Sequence, residues 1–279
     1  MLIPFEKYHA LRNDFIVIEQ GRAKLTPSRL ERLAPAICDR RSGVGADGIV
    51  YLSSSDSADQ KIDIYNADGS WAEKSGNGLR IAGVHMHLKN RKKRNFLFDI
   101  GSSIDRVTII KKIPRGFLIK TELGEPKFEA ALVPIKSRLP YLINAPLKVG
   151  EVEFPVTCLS VGNPHTVLFV GAFDFDWHTL GADIERHKAF PNRTNVEFVK
   201  IISRSKVKVC DWERGAGPTG SSGTGAAAAV CAGVMLGTLD RECDVHFETG
   251  VLNVNWSDET NLVELTGPAE HVTDGVFEF

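Results

Sequence analysis

From 224 to 236 the chain reads as a helix without a polar face, because 226–236 is an unbroken run of eleven apolar or small residues. A helix that is apolar all round has to be surrounded by protein. Eleven residues are too few to span a bilayer, so the surround is the rest of this chain. Its alanines and Gly233 let other elements approach closely. The material for a shell is present in short runs rich in β-branched and aromatic residues, bounded by Gly, Asp or Asn. They fall at 15–19, 48–52, 61–66, 96–100, 106–111, 116–122, 156–161, 166–170, 195–202, 206–212, 245–248, 251–256 and 262–266. The pattern predicts strands wrapped around a central helix.

A second helix is expected at 77–88. It opens after Ser75-Gly76-Asn77-Gly78, and the first opens after Ser222-Gly223-Thr224-Gly225. Two like openings, each after a strand and a short loop, read as an internal duplication. The expected architecture is a mixed α/β (α+β) fold of two pseudo-symmetric lobes, each a curved, mostly antiparallel sheet around one helix. A further helix begins with Thr26 as cap and Pro27 at its first position, with Leu30, Leu33, Ala34 and Ile37 on one face. Pro35 is expected to kink or shorten it.

A helix N-terminus presents unpaired N–H groups and about half a positive charge. Glycines there let a ligand reach the backbone. Two such ends facing one cleft make an anion site. A carboxylate held there has its α-carbon between them, and charge that develops when the α-proton leaves meets the same N–H groups. One S-G-x-G turn is an ordinary capped helix. Two in a duplicated frame point to a ligand site.

The formal net charge of −1 gives no reason to expect a nucleic-acid partner. The basic run 89–94 reads as a solvated loop between helix and strand. Five cysteines, an odd number with no C-x-x-C pair, point to a reducing compartment, with neither a disulfide framework nor a zinc site. Glu6 and Lys7 precede any long apolar run, so no signal peptide is expected at the start. The expected location is the cytoplasm, with no membrane partner.

Ordered motifs run from end to end. They are Tyr8-His9-Ala10-Leu11-Arg12-Asn13-Asp14-Phe15, Arg41-Ser42-Gly43-Val44-Gly45-Ala46-Asp47-Gly48, and Tyr65-Asn66-Ala67-Asp68-Gly69-Ser70 leading to Ser75-Gly76-Asn77-Gly78-Leu79-Arg80. Gly162-Asn163-Pro164-His165, Asn195-Val196-Glu197-Phe198, Glu213-Arg214-Gly215-Ala216-Gly217 and Leu265-Thr266-Gly267-Pro268-Ala269 follow. In this series the chain resembles the diaminopimelate epimerase family of cofactor-independent isomerases. The resemblance implies lysine biosynthesis, no metal or organic cofactor, a small amino-acid or dicarboxylate substrate and a possible homodimer. It places the family's two catalytic cysteines on Ser75 and Ser222. The α-carboxylate falls to the N–H groups of Gly76, Asn77, Gly223 and Thr224. The far end of the substrate falls to Asn66, Asn195, Glu213 and Arg214, with Asn13, Asn163 and His165 lining the same cleft. Arg214 suits a bidentate carboxylate contact and Glu213 an ammonium.

Four departures stand out. Both cysteine positions are serine, Arg12 stands at a family glycine, Pro218 at a family glutamate, and Ala10 at another glycine. A serine hydroxyl is a weak nucleophile and base unless a neighbour activates it, so the thiol mechanism is impaired. Three readings stay open. One is an epimerase with both thiols exchanged for near-isosteric hydroxyls, binding-competent but disabled. Another is a divergent relative that runs a carboxylate-driven isomerisation or elimination, with Asp47, Asp68 and Glu213 as acid/base candidates. The third is a non-catalytic amino-acid-binding module. The matched serines favour the first; Arg12 and Pro218 favour the second, and Arg12 brings a new cation to the cleft. The expected boundaries are 1–120 with a returning tail 268–279, and 121–267.

Overall fold

The computed structural model describes residues 1–279, and the chain divides into two compact units. Unit 1 is Met1–Glu122 with Thr266–Phe279; unit 2 is Leu123–Leu265.

Unit 1 carries β1 (Leu2–Ala10), β2 (Asn13–Glu19), α1 (Pro27–Cys38), β3 (Gly48–Ser53), β4 (Gln60–Asn66), β5 (Trp71–Ala72), α2 (Gly76–Lys89), β6 (Asn95–Asp99), β7 (Ile104–Lys112) and β8 (Phe117–Glu122). Unit 2 carries β9 (Ala145–Val149), β10 (Val152–Ser160), β11 (Pro164–Phe169), α3 (Trp177–Glu185), β12 (Asn195–Ser203), β13 (Lys206–Trp212), α4 (Gly223–Met235), β14 (Glu242–Phe247) and β15 (Gly250–Trp256). The last strand, β16 (Val263–Glu278), belongs to unit 1 from Thr266 onward.

The same pairing scheme occurs twice. In unit 1, β1 and β2 are antiparallel, β2 and β3 parallel, β3 and β4 antiparallel, β4 and β6 parallel, and β6 and β7 antiparallel. In unit 2, β10 to β15 repeat that series in order. The helices enter at matching points: α1 and α3 inside the first parallel crossover, α2 and α4 inside the second. This is the duplicated, mostly antiparallel α/β fold expected from the two S-G-x-G segments.

Unit 1 closes its sheet through β1 and β16, paired antiparallel from Leu2↔Glu278 to His9↔Glu270. Inside, α2 packs Leu79, Ile81, Ala82 and Val84 against Phe96, Phe98, Val107 and Ile119. On the outer face α1 sets Leu30, Leu33, Ala34 and Ile37 against Ile16, Ile18 and Ile49. In unit 2, α4 is buried from Gly223 through Gly233, as its lack of a polar face demands.

α1 is not cut short at Pro35; it continues through that residue to Cys38. A proline in that position leaves the carbonyl four residues earlier without its helical partner. That carbonyl, Glu31 O, lies where a Cβ on Gly69 would sit only 2.3 Å away. Gly69 has φ 89°, so the absence of a side chain there lets the 66–70 turn close over the helix. Thr26 occupies the N-cap position, but its side chain makes no capping bond.

Candidate functional site

In unit 1 the site begins with a two-residue hairpin. β1 ends at Ala10 and β2 starts at Asn13, and these two residues are paired. The intervening Leu11 and Arg12 have φ 51° and 70°. Positive φ at both central positions is the mark of a type I′ turn, which favours Asn-Gly. A side chain in the left-handed region costs roughly 1–2 kcal/mol. Arg12 is exposed at the tip. Arg12→Gly is therefore expected to raise stability to urea by about 1 kcal/mol. If Arg12 contacts the ligand carboxylate, the same variant weakens binding by about tenfold or more, as loss of a charge-assisted contact does. Denaturation and ligand-induced thermal shift on the one variant separate the two effects.

The turn delivers Asn13 to a chain of hydrogen bonds. Arg80 on α2 is fully buried, and burial pulls its guanidinium down to about 9, so it remains charged at neutral pH. Its Nη2 donates to Asn77 Oδ1. Asn77 Nδ2 donates to Asn13 Oδ1 at 2.8 Å, and Asn13 Nδ2 donates to Asp47 Oδ2 at 2.8 Å. The ends dictate the direction. A guanidinium can only donate and a carboxylate only accept, so both amides between them have a single workable orientation. Asp47 is held in turn by the Asp14 amide at 3.1 Å and by Arg40 Nη2 at 2.7 Å. Arg40 also grips Asp14, at 2.7 and 3.2 Å.

Ser75 sits beside this chain in sequence as the N-cap of α2, extended at φ −139°, ψ 117°, with Oγ accepting from the Gly78 amide at 3.1 Å. Gly76 and Asn77 are buried. Asn66 closes β4 but turns its Nδ2 to Ser70 Oγ at 2.9 Å. Asp68 accepts from the Ser70 amide and hydroxyl, at 2.9 and 2.6 Å. Those bonds, hydroxyl first, lower its pKa. Asp68 thus shapes the 66–70 turn and makes a poor base.

Unit 2 repeats the cap. Ser222 has φ −110°, ψ 124°, and its Oγ accepts from the Gly225 amide at 3.1 Å. A Cβ on Gly225 would meet Glu197 Oε1 at 3.0 Å and Ser222 Oγ at 3.1 Å. The Glu197 carboxylate therefore lies against the first turn of α4, where the helix dipole favours negative charge. His165 and Glu197 are both fully buried, with Nδ1 and Oε1 2.6 Å apart. His165 Nε2 lies 2.8 Å from Asn163 Oδ1, and Asn163 Nδ2 donates to Thr224 Oγ1 at 3.3 Å. Both imidazole nitrogens are thus engaged, and through Asn163 the ring orients Thr224.

Glu213 and Arg214 lie just past β13, in a tight turn closed by the Glu213 amide to Gly217 O at 2.7 Å. Glu213 accepts from Thr219 Oγ1. Arg214 Nη1 donates to Asn192 O at 3.1 Å. Asn195 spends its side chain on backbone, accepting from the Arg214 amide at 2.8 Å and donating to Pro164 O at 2.9 Å. It ties the start of β11 to the Glu213–Arg214 turn.

Several residues of these networks escape a reading of the sequence. Glu185, 2% exposed, accepts from the Trp212 indole and the Gly215 amide, both at 2.9 Å, and braces the same turn. Arg80, Arg40, Asp211 and Thr219 are the others. Charges placed inside apolar strands or helices, as at Glu197, Asp211 and Arg80, are the signal that marks them.

The five cysteines are unpaired and none caps a helix. Burial pushes the Cys38, Cys158 and Cys243 thiols up to about 12. No thiol stands in for the two serines. Glu6, Glu19 and His85 bring metal-capable atoms within 4.8 Å of one another. The two His85 nitrogens, however, face different carboxylates, each at 3.1 Å, which suits an imidazolium between acids. No helix is long and apolar enough to cross a membrane.

A family model described as diaminopimelate epimerase matches residues 5–128 and 157–272. A diaminopimelate epimerase from Pelotomaculum thermopropionicum is 38% identical over 277 residues, covering 99% of each chain. One from Acaryochloris marina is 37% identical over 288 residues, covering 100% of this chain and 99% of the relative. Among solved structures, a hydroxyproline epimerase from Agrobacterium vitis with bound trans-4-hydroxy-L-proline has TM-score 0.72 at 12% identity, covering 99% of this chain and 91% of its own. A PhzF-family phenazine biosynthesis protein from Bacillus anthracis has TM-score 0.66 at 17% identity, covering both chains fully. These two likenesses concern the fold alone.

Proposed function

Given that this chain belongs to the diaminopimelate epimerase family of isomerases, we propose that it moves the α-proton of an amino acid or related small dicarboxylate without a cofactor, with Ser75 and Ser222 where the family carries cysteines. Diaminopimelate is the first substrate to try, since the full-length relatives bear that name.

One observation carries the reading. Each unit ends a strand-and-loop segment in a serine whose oxygen caps a buried helix, with glycine next to it. The capping bond occupies the serine oxygen as an acceptor and leaves its proton to donate. A carboxylate at such a helix end meets N–H groups and a partial positive charge. As the α-proton leaves, those donors stabilise the enolate-like charge. The helix end also favours an alkoxide, as it favours a thiolate, though a hydroxyl starts from a far weaker acidity. Slow proton exchange is the expected result.

Within unit 1, Asn13 and Asn77 then serve as oriented polar groups, held by Arg80 with Asp47; within unit 2, Asn163 and Thr224 do so, held by His165 with Glu197. Arg214 takes a distal carboxylate and Glu213 an ammonium. A second reading, a carboxylate-driven isomerisation or elimination, draws support from the acids at Glu213 and Asp211, joined by Thr219.

Proton NMR of the chain with diaminopimelate and an amino-acid panel in D₂O is the test. Loss of one substrate's α-proton signal, in proportion to protein, is the expected outcome. New product signals without that loss establish the second reading. Unchanged spectra across the panel overturn both.

A further inference from the structure

The ladder in unit 2 sets Glu197 of β12 directly opposite Asp211 of β13. Opposed residues in an antiparallel pair have Cβ atoms about 4.5–5.5 Å apart. Both side chains are buried, at 0% and 2% exposure. Two carboxylates so placed do not both ionise unless cations compensate them. His165 is committed to Glu197 at 2.6 Å. Asp211 has instead a hydroxyl, Thr219 Oγ1, 2.8 Å from its Oδ2.

That hydroxyl also meets Glu213 Oε1. A hydroxyl carries one proton and can donate only once. An ionised carboxylate can only accept. Two carboxylates on one hydroxyl therefore require another proton, carried by one of the acids and donated to the threonine oxygen. Asp211 is the acid placed to carry it, being the more deeply buried and the one opposite Glu197. Burial first, then the Glu197 charge, raises its carboxyl to about 6.

We propose that Asp211 is a positioning residue that stores a proton and passes it through Thr219 to Glu213. In the step, the Asp211 Oδ2–H bond breaks as its proton moves to Thr219 Oγ. The original Thr219 proton moves to Glu213 Oε1, and the negative charge passes from Glu213 to Asp211. No electrons are transferred. The groups that face Asp211 are Glu197 from β12, His165 behind it on β11, and Thr219 with Glu213 from the segment after β13. The inference rests on the proton-transfer function above, with Glu213 at the ligand.

Two measurements test it on the full chain. The first needs no activity: a carbon-13 NMR titration of the Asp and Glu carboxyl carbons. One Asp carbon should titrate near pH 6, vanish in Asp211→Asn, and shift its midpoint in Thr219→Val. If every Asp carbon titrates below about pH 5, in the ordinary carboxylate range, Asp211 is ionised and the proposal falls. The second is the pH profile of α-proton exchange. Asp211→Asn should erase an inflection near pH 6 in KM for a substrate with a distal ammonium, because the relay sets the charge on the Glu213 that takes it. Thr219→Val should raise that KM by about tenfold, as loss of a charge-assisted contact does, and Thr219→Ser should restore it. A wild-type profile in Asp211→Asn, or an unchanged KM in Thr219→Val, overturns the relay. A chain that exchanges nothing overturns the proposed function, while the titration still decides where the proton sits.

Discussion

Replacing Ser75 and Ser222 together with cysteine is expected to raise α-proton exchange by about 10²–10⁴-fold, the span of a well-placed general acid and base. A thiol starts at a pKa of about 8.5 and falls by several units at a helix N-terminus. It then works as thiolate and thiol near neutrality, where a hydroxyl scarcely ionises. Each single variant should gain far less, because inversion needs both an acid and a base. The gain has a structural cost. Both serine oxygens cap helices at 3.1 Å, and sulfur caps poorly. Loss of a cap costs about 1 kcal/mol per helix, so the double variant should unfold at lower urea than the parent. Exchange followed by NMR, with denaturation curves alongside, checks both expectations. The chain's own cysteines do not confuse the result, since burial raises all five thiols, Cys38, Cys158 and Cys243 to about 12. A folded double variant that exchanges no faster than the parent would sink the assignment of the two serines.

The fold was legible wherever a local pattern matched the final burial. The apolar run of α4 could only be a core helix, and the like openings at Ser75 and Ser222 marked the repeat of pairing. β1 was not legible. Ile3 and Phe5, then Tyr8 and Ala10, point inward, but one extra residue at the Lys7/Tyr8 bulge breaks the alternation between them, and one of its two partners is β16 at the far end of the chain. The tail 268–279 was expected to return to the first lobe, but its continuation as strand β16 was not read, for the same reason. α3 was missed because its helical face is short, though Asp176 accepts from the Thr179 amide at 3.1 Å as a standard cap and the Asp-x-x-Thr spacing carries that signal. That α1 continues past Pro35 was not legible, because nothing local reveals that Gly69 closes over the carbonyl at Glu31.

The family resemblance named the candidate site residues, but not the networks they enter. Which way the Asn13 and Asn77 amides point depends on Arg80, one turn along α2 from Asn77, and on Asp47, distant in sequence from both. That Asn195 spends its side chain on backbone follows from the parallel register of β11 and β12 and from the turn at Glu213. The opposition of Glu197 and Asp211 is a matter of register alone, and one residue of slip would send their side chains to different faces. Single charges within apolar strands are visible in a sequence; their partners are not.

Replacing His85 with leucine is expected to cost about 2–3 kcal/mol of stability at pH 6, somewhat less than the 3–5 kcal/mol lost when a fully buried pair is broken. His85 is 1% exposed on α2 and bridges Glu6 on β1 to Glu19 on β2, at 3.1 Å to each. Tyr8 donates to Glu6 at 2.5 Å, Lys89 pairs with Glu19, and Arg22 approaches both acids at 3.5 Å. The hydrogen bond from His85 is the largest cause that brings Glu6 and Glu19 each down to about 2. Burial works against the charged ring, yet the bonds to Glu19 and Glu6 outweigh it and the His85 pKa is raised. The signs then set the window. A raised histidine contributes fully below its unfolded value of about 6.5 and is lost as pH rises through its folded pKa. Lowered carboxylates contribute above about 4.3 and are lost as pH falls toward their folded values. The clamp is therefore strongest between about pH 4.5 and 6.5 and loosens on both sides. In His85→Leu the two acids lose the imidazolium between them and keep only Lys89 and Arg22, both part exposed, so the deficit relative to the parent should shrink below about pH 4, as both acids protonate, and above the folded histidine pKa, as the parent loses its own clamp. Urea unfolding of parent and variant from about pH 2.5 to 9, a span that covers the titration of both acids and the imidazole, reads this as a difference curve with a maximum. A flat difference would mean that His85 is neutral and merely packs, and the helix that carries Ser75 would then be held by its apolar core alone.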